Sequence, residues 1–351
     1  MTATRRDTFH VRIARHGLVF RFSRRSTVLT SVLWLCAGGV LALSLGLGEF
    51  DLRLADTLRV LGGGGTLIEY DVVVRDRLPR AVTALGVGAA FGVSGAILQR
   101  IAANPLVSPD VIGVNAGASF GALFVITVLG GAGASLVLGA LAGALLTGAA
   151  IVLIALNHGL SGYRLVLVGI GIAAMLSSGT SYLLIQADYR QVLNAASWLT
   201  GSLANRGTLH VAVIAGTLAV VVPVLLVLGR HLRVLELGDD LSRALSGGTR
   251  RIRLSLITTA VVLAAMATAA AGPIGFVALV APQITRRLLP GRPVPLGTAA
   301  ATGALLVIGS DLAARLLFAP TELPVGAVTG VIGAPVLLYL LARANRIGHT
   351  G

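Results

Sequence analysis

Residues 254–285 read LSLITTAVVLAAMATAAAGPIGFVALVAPQIT, 32 residues without a charge, bracketed by Arg250, Arg251 and Arg253 on one side and Arg286, Arg287 and Arg292 on the other. As one straight helix this run would measure ~48 Å, against a bilayer hydrocarbon core of ~30 Å. It therefore bends back, and arginines at both flanks predict that it enters and returns on the same side of a membrane. Gly272-Pro273 marks the bend, because proline cannot continue the helical hydrogen bonding and glycine tolerates the turn. Two complete spans need ~40 residues, so at least one limb is short or partly unwound. Discontinuous helices of this kind often border a transport path.

Working outward, six further uncharged windows have the length of a span: 28–47, 81–99, 111–129, 132–156, 165–186 and 209–229. Two more apolar segments follow Pro293, at 293–318 and 323–341, separated by the loop Ala319–Pro324. The expected fold is thus an all-α integral membrane protein of about ten transmembrane helices. With 55% hydrophobic and 12% charged residues the chain needs lipid as a solvent, and its 45 glycines suit close helix packing there.

The net charge of +14 is carried entirely by arginine and is unevenly placed. Seven arginines lie in residues 1–27 and six in 230–253, whereas 48–80 balances five arginines with six acids. This positive-inside pattern puts both termini in the cytoplasm and makes nucleic-acid binding an unnecessary reading. With ten spans, 20 arginines and five acids face inward, and seven arginines and eight acids face outward. The expected organisation is a basic cytoplasmic segment 1–27, one membrane domain 28–343 with a cytoplasmic segment at 230–253, and a tail at 344–351. The first apolar stretch lacks an A-x-A cleavage site and is read as a retained helix. The single Cys36 offers neither a disulfide nor a thiolate metal site.

No HExxH, paired acids or nucleophile–base pattern suggests an enzyme, no GxxxxGK[ST] suggests an ATP site, and the six histidines show no ligand spacing. Asp311 is the clear intramembrane acid, with Arg315 at i+4 able to pair with it, either as a structural pair or as a functional one. Gln99–Asp110, QRIAANPLVSPD, is a rigid cytoplasmic turn in which Ser108 and Asp110 can cap the next helix. LGDDLSRALS at 237–246 reads as a short amphipathic helix, either solvated or docked on a partner. Ser177, Ser178, Thr180 and Ser181 in the fifth helix, with Asn194, Ser197 and Trp198 after it, are candidates for a weakly polar translocation path or for helix-packing contacts.

Five stretches resemble the FecCD-type permeases of ATP-driven importers for iron-siderophores, haem and cobalamin. They are RLPRAVTALGVGAAFGVSGAILQRIAANPLVSPDVIGVNAGASFGA (77–122), WLTGSL (198–203), LELGDDLSRAL (235–245), GPIGFVALVAPQITRR (272–287) and 311–340, containing LFAPTELPVGAVTGVIGAPVLLYL. SPDVIGVNAG, LELGDD and FVALVAP look closest to the permeases for catecholate siderophores such as enterobactin. The resemblance implies a type II importer fold in the bacterial cytoplasmic membrane, with helices two to five and seven to ten as inverted repeats. It implies as partners two ATPase subunits, which use ATP and magnesium, a second permease chain, identical or related, and an extracytoplasmic substrate-binding protein. No cofactor or metal bound to this chain is implied. Arg77, Arg80 and Arg315 match arginines that receive acids of the binding protein. Leu237, Gly238, Asp239, Asp240, Leu241, Arg243 and Leu245 match the coupling helix that sits in the ATPase. Gln283 departs from the family's usual histidine, and Ser242 and Ser246 replace a small residue and a glycine. An ion-coupled secondary carrier is the contrasting reading from another class.

Overall fold

The computed structural model describes residues 8–13, 18–48, 50, 52–157, 162–235, 249–317, 319 and 321–347. An antiparallel hairpin, β1 (Thr8–Ile13) with β2 (Leu18–Ser23), precedes the first span and pairs Phe9 with Phe22. It lies within the segment expected only to be basic, and its aromatic and β-branched residues favour strand pairing. Among the described residues, everything else with regular structure is helical. The helices are α1 (Arg24–Gly46), α2 (Leu54–Leu61), α3 (Leu67–Tyr70), α4 (Leu78–Ile101), α5 (Val114–Thr127), α6 (Ala134–Asn157), α7 (Gly162–Gln186), α8 (Tyr189–Leu199), α9 (Thr208–Leu235), α10 (Thr249–Ala271), α11 (Val277–Leu288), α12 (Leu296–Leu316) and α13 (Val325–Ile347). A π-helical turn, Asp71–Arg77, joins α3 to α4. The segment expected to couple to an ATPase, including Leu237, Gly238, Asp239, Asp240, Leu241, Arg243 and Leu245, lies outside the described residues.

Seven of these helices are long and apolar enough to cross a membrane: α1, α3–α4 as one continuous run, α6, α7, α9, α10 and α12. With α5, α11 and α13 the described residues supply ten membrane segments. The uncharged run does break at its Gly-Pro: α10 ends at Ala271 and α11 begins at Val277. Its second limb, at 12 residues, spans only ~18 Å. α5, at 14 residues, spans ~21 Å. Both halves of the bundle therefore run long, short, long, long: α4 to α7, then α10 to α13. The first series starts at the acid-balanced end and the second at the arginine-rich end, which is the order of an inverted repeat.

The core is α4, whose most apolar window is 83% buried, against 11% for α7. α4 packs on α9, α10, α11 and α12. That packing needs glycine. A Cβ at Gly88 would overlap the Gly303 carbonyl of α12, and one at Gly95 would overlap the Ala278 carbonyl of α11. In lipid, where apolar burial adds little between helices, such backbone approach is a main source of cohesion.

Candidate functional site: a buried ionic cluster and two meeting helix breaks

At the acid-balanced end, Arg77, Arg80 and Arg315 come together as the sequence places them, yet all three are buried, at 5%, 5% and 8% exposure. Arg80 donates from Nε and Nη2 to Asp311 Oδ1, at 3.0 and 2.9 Å, and from Nη1 to Glu322 Oε2 at 2.9 Å. Arg315 Nε lies 3.6 Å from Asp311 Oδ2, and its Nη2 donates to the Ser44 carbonyl at 3.2 Å and to Ser44 Oγ. Arg77 donates to the carbonyls of Leu45, Gly46 and Phe50 at 2.7–3.0 Å. Two guanidinia thus hold the C-terminal end of α1, where orphan carbonyls and the helix dipole favour cations. The i+4 pair expected for Asp311 and Arg315 forms, but Arg80, far away in sequence, is the closer partner. Glu322, in the loop before α13, keeps a side chain 42% exposed and is the part of the cluster open to the outside.

Deeper in the bundle the two helix breaks meet. Residues 107–109, Ile112 and Gly113 are buried, so the turn after α4 re-enters the bundle and α5 starts inside it. Gly113, at φ 91°, caps α5 and lies against Gly169 and Ala173 of α7. Phe276, at φ 66°, opens α11 and lies against Gly333 of α13. Between them stands Asp110. Its Oδ2 accepts from Phe276 N at 3.2 Å and its Oδ1 from Asn115 Nδ2 at 2.8 Å, while Thr268 Oγ1 of α10 is 2.8 Å from Asn115 Oδ1. The expected cap on the following helix is therefore corrected: Asp110 supplies an acceptor to the other break. Ser108 accepts from Val111 N at 3.4 Å inside its own turn. A carboxylate between two short-helix N-termini meets two positive dipole ends. Sequence reasoning missed this junction, although one signal was present. Neither Gly275 nor Phe276 has a side chain that can accept a hydrogen bond, so α11 needs an acceptor from elsewhere.

The break is closed towards the acid-balanced end by the loop after α8. Ser202 N donates to Ala271 O at 2.9 Å and Gly326 N to Gly201 O at 3.0 Å. Gly201, at φ 69°, lies so near the Pro273 carbonyl that a Cβ would clash. Arg206 secures the loop by donating to Ser202 O at 3.0 Å, and burial lowers its pKa to about 10, which leaves it cationic at neutral pH. Towards the arginine-rich end, Gln283 Nε2 donates to Gln99 Oε1 at 2.6 Å and to Pro105 O at 3.1 Å, and Gln99 Nε2 to Leu279 O at 3.1 Å. The departure at Gln283 thus has a role here: it ties the NPLVSPD turn to α11.

The residues read as lining a path fall into two groups. Ser177, Ser178 and Ser181 on α7, with Asn194 and Ser197 on α8, are exposed; Thr180 is half-buried and Trp198 is buried. The hydroxyls of Ser178, Thr180 and Ser181 donate to carbonyls one turn back at 2.9–3.0 Å, so this face is polar without demanding a partner. Among the described residues no group of three or more His, Cys, Asp or Glu side chains has the geometry to hold a metal ion.

The FecCD transport family matches residues 35–343. The chain is 40% identical over 299 residues to the ferric enterobactin transport system permease protein of Escherichia coli (strain K12), covering 85% of this chain and 91% of that one. It is 37% identical to the achromobactin transport system permease protein of Dickeya dadantii (strain 3937), covering 95% and 97%. Its fold superposes on an inward-facing putative metal-chelate type ABC transporter with a TM-score of 0.80 at 28% identity, over 90% of this chain and 99% of that one. The chain belongs to the FecCD transport family, as a multi-pass permease of the type II ABC importer fold and not an enzyme.

Proposed function

We propose that this chain is one membrane-spanning subunit of an ATP-driven importer that carries ferric siderophore complexes across the bacterial cytoplasmic membrane, with both termini in the cytoplasm. The family match across nearly the whole chain carries the reading. Siderophore cargo follows from relatives that include the enterobactin and achromobactin permeases. The working assembly contains a second permease chain, two ATPases that use ATP and magnesium, and an extracytoplasmic substrate-binding protein. The ion-coupled carrier loses its best residue, because Asp311 is 1% exposed and shared between Arg80 and Arg315. Vesicles reconstituted with the whole assembly should accumulate ferric siderophore only with ATP and the binding protein. Uptake driven by an ion gradient without ATP would sink the proposal.

Docking of the binding protein belongs to the same end of the molecule. Arg80 Nη1 is the edge of the cluster that displacement of Glu322 would uncover, since Glu322 is the exposed partner. A carboxylate of the binding protein takes the place of Glu322 there, while docking on Arg77 and Arg315 requires their bonds to the end of α1 to yield. Glu322→Gln should therefore tighten docking several-fold, on the scale of ~1 kcal/mol for a part-exposed pair. Weaker docking in this variant would mean that Glu322 is itself a contact.

A further inference from the structure

Two arginine groups far apart in sequence meet in one cleft at the arginine-rich end. Arg24 and Arg25 stand in the first turn of α1, and Arg292 follows α11. Together with Val28, Leu29, Val32, Leu288, Leu289 and Pro290 they line an open cavity of about 480 Å³. No acid lines it. Arg292 donates to Ser23 Oγ, so the hydroxyl that precedes α1 is held by a cation and makes no side-chain cap. Cations in a helix's first turn oppose its dipole, and nothing acidic stands in that turn to offset them. Below the guanidinia the cleft turns apolar: Val28, Val32 and Leu288 are 55%, 47% and 49% exposed. Val32 lies two turns, ~10 Å, along α1 from Arg25, the depth at which acyl chains replace headgroups.

We infer that this cleft holds an anionic phospholipid, its phosphate among Arg24, Arg25 and Arg292 and its acyl chains along Val28, Val32 and Leu288. Positive charge alone fits any phosphate. The apolar strip continuous with a membrane span commits the site to a lipid, and basic pockets at the cytoplasmic boundary suit anionic headgroups. A zwitterionic lipid offers the same chains with no net charge, and free phosphate offers the charge with no chains. Bound lipid would fix α1 to the loop that follows α11, and so to the shorter limb of the broken helix.

The test uses the detergent-purified transporter, stripped of lipid and titrated with phosphatidylglycerol, with phosphatidylcholine of the same chains, and with inorganic phosphate. Native mass spectrometry reads bound lipid and thermal unfolding reads stabilisation. Phosphatidylglycerol should bind at least about tenfold more tightly than phosphatidylcholine, and phosphate should neither bind nor compete at similar concentration. The double variant Arg24→Gln, Arg25→Gln changes exposed side chains and leaves the Arg292–Ser23 bond in place. It should lose roughly 25-fold in affinity, about fivefold per guanidinium. Equal binding of the two lipids, an unchanged double variant, or competition by free phosphate would each overturn the assignment. So would occupation of the cleft by an ATPase subunit, seen as loss of the lipid site when the full complex is assembled.

Discussion

Asp311 holds two buried guanidinia, and what its removal costs is set by what is left behind. Arg80 and Arg315 would remain almost fully enclosed, facing each other without their shared carboxylate. Breaking a buried ionic group by deleting one partner typically costs ~3–5 kcal/mol. Asp311→Ala should therefore lower the unfolding temperature of the purified transporter sharply. Adding Arg80→Ala to it should cost much less than the two single changes summed, because both remove the same interaction. Additive losses would show that the contact contributes little. The i+4 spacing made the Asp311–Arg315 pair legible in the sequence, but side chains joined across 231 positions were not. Arg80 and Asp311 carried no mark of each other, so outward-facing arginines looked free for a partner until their internal acceptors were seen.

At the scale of elements, the bend at Gly272-Pro273 could be read because the uncharged run was too long for one span and too short for two. The shortness of α5 could not, since 111–129 is as apolar as a complete span and only folding shows that its first residues form a buried turn. Asp110 is the joint between these two irregular places. Ile112 and Gly113 on one side lie against Gly169 of α7, and Phe276 on the other lies against Gly333 of α13. Asp110→Ala removes the acceptor of both hydrogen bonds and leaves α11 without its borrowed acceptor, at a cost of ~1–3 kcal/mol. Asp110→Asn keeps an acceptor for Phe276 N if Asn115 reverses its amide. The alanine variant should assemble and hydrolyse ATP yet lose most transport, and the asparagine variant should recover a large part of it. Equal transport by the alanine variant and the unchanged protein would show that the junction is only packing.

For the whole molecule, charge asymmetry and the count of spans together predicted a topology, and the described helices supply the ten membrane segments it requires, with Arg24 and Arg25 opening α1, Arg250, Arg251 and Arg253 in the first turns of α10, and Arg286 and Arg287 closing α11. How the bundle responds to ATP was not legible to the same degree, because it depends on which helices are anchored and which are loose. α10 is anchored, with 72% of its apolar window buried against α4, α6 and α9, while α7 stands largely free. The segment expected to couple, 237–247, lies in the chain between α9 and α10, and the expectation is that a push on it reaches α10, whose far end is the break at Gly272. Leu241 and Leu245, four residues apart, share a face of the helix expected there, and burial of that face in a groove of the ATPase is what would convert nucleotide state into force. Replacing both by Asp places two desolvated charges in that groove while leaving the membrane bundle untouched. The variant should reach the membrane at normal levels and unfold at the usual temperature, but it should lose either the ATPase subunits or the stimulation of hydrolysis by the binding protein. Stimulation equal to that of the unchanged assembly would move the coupling surface away from this segment.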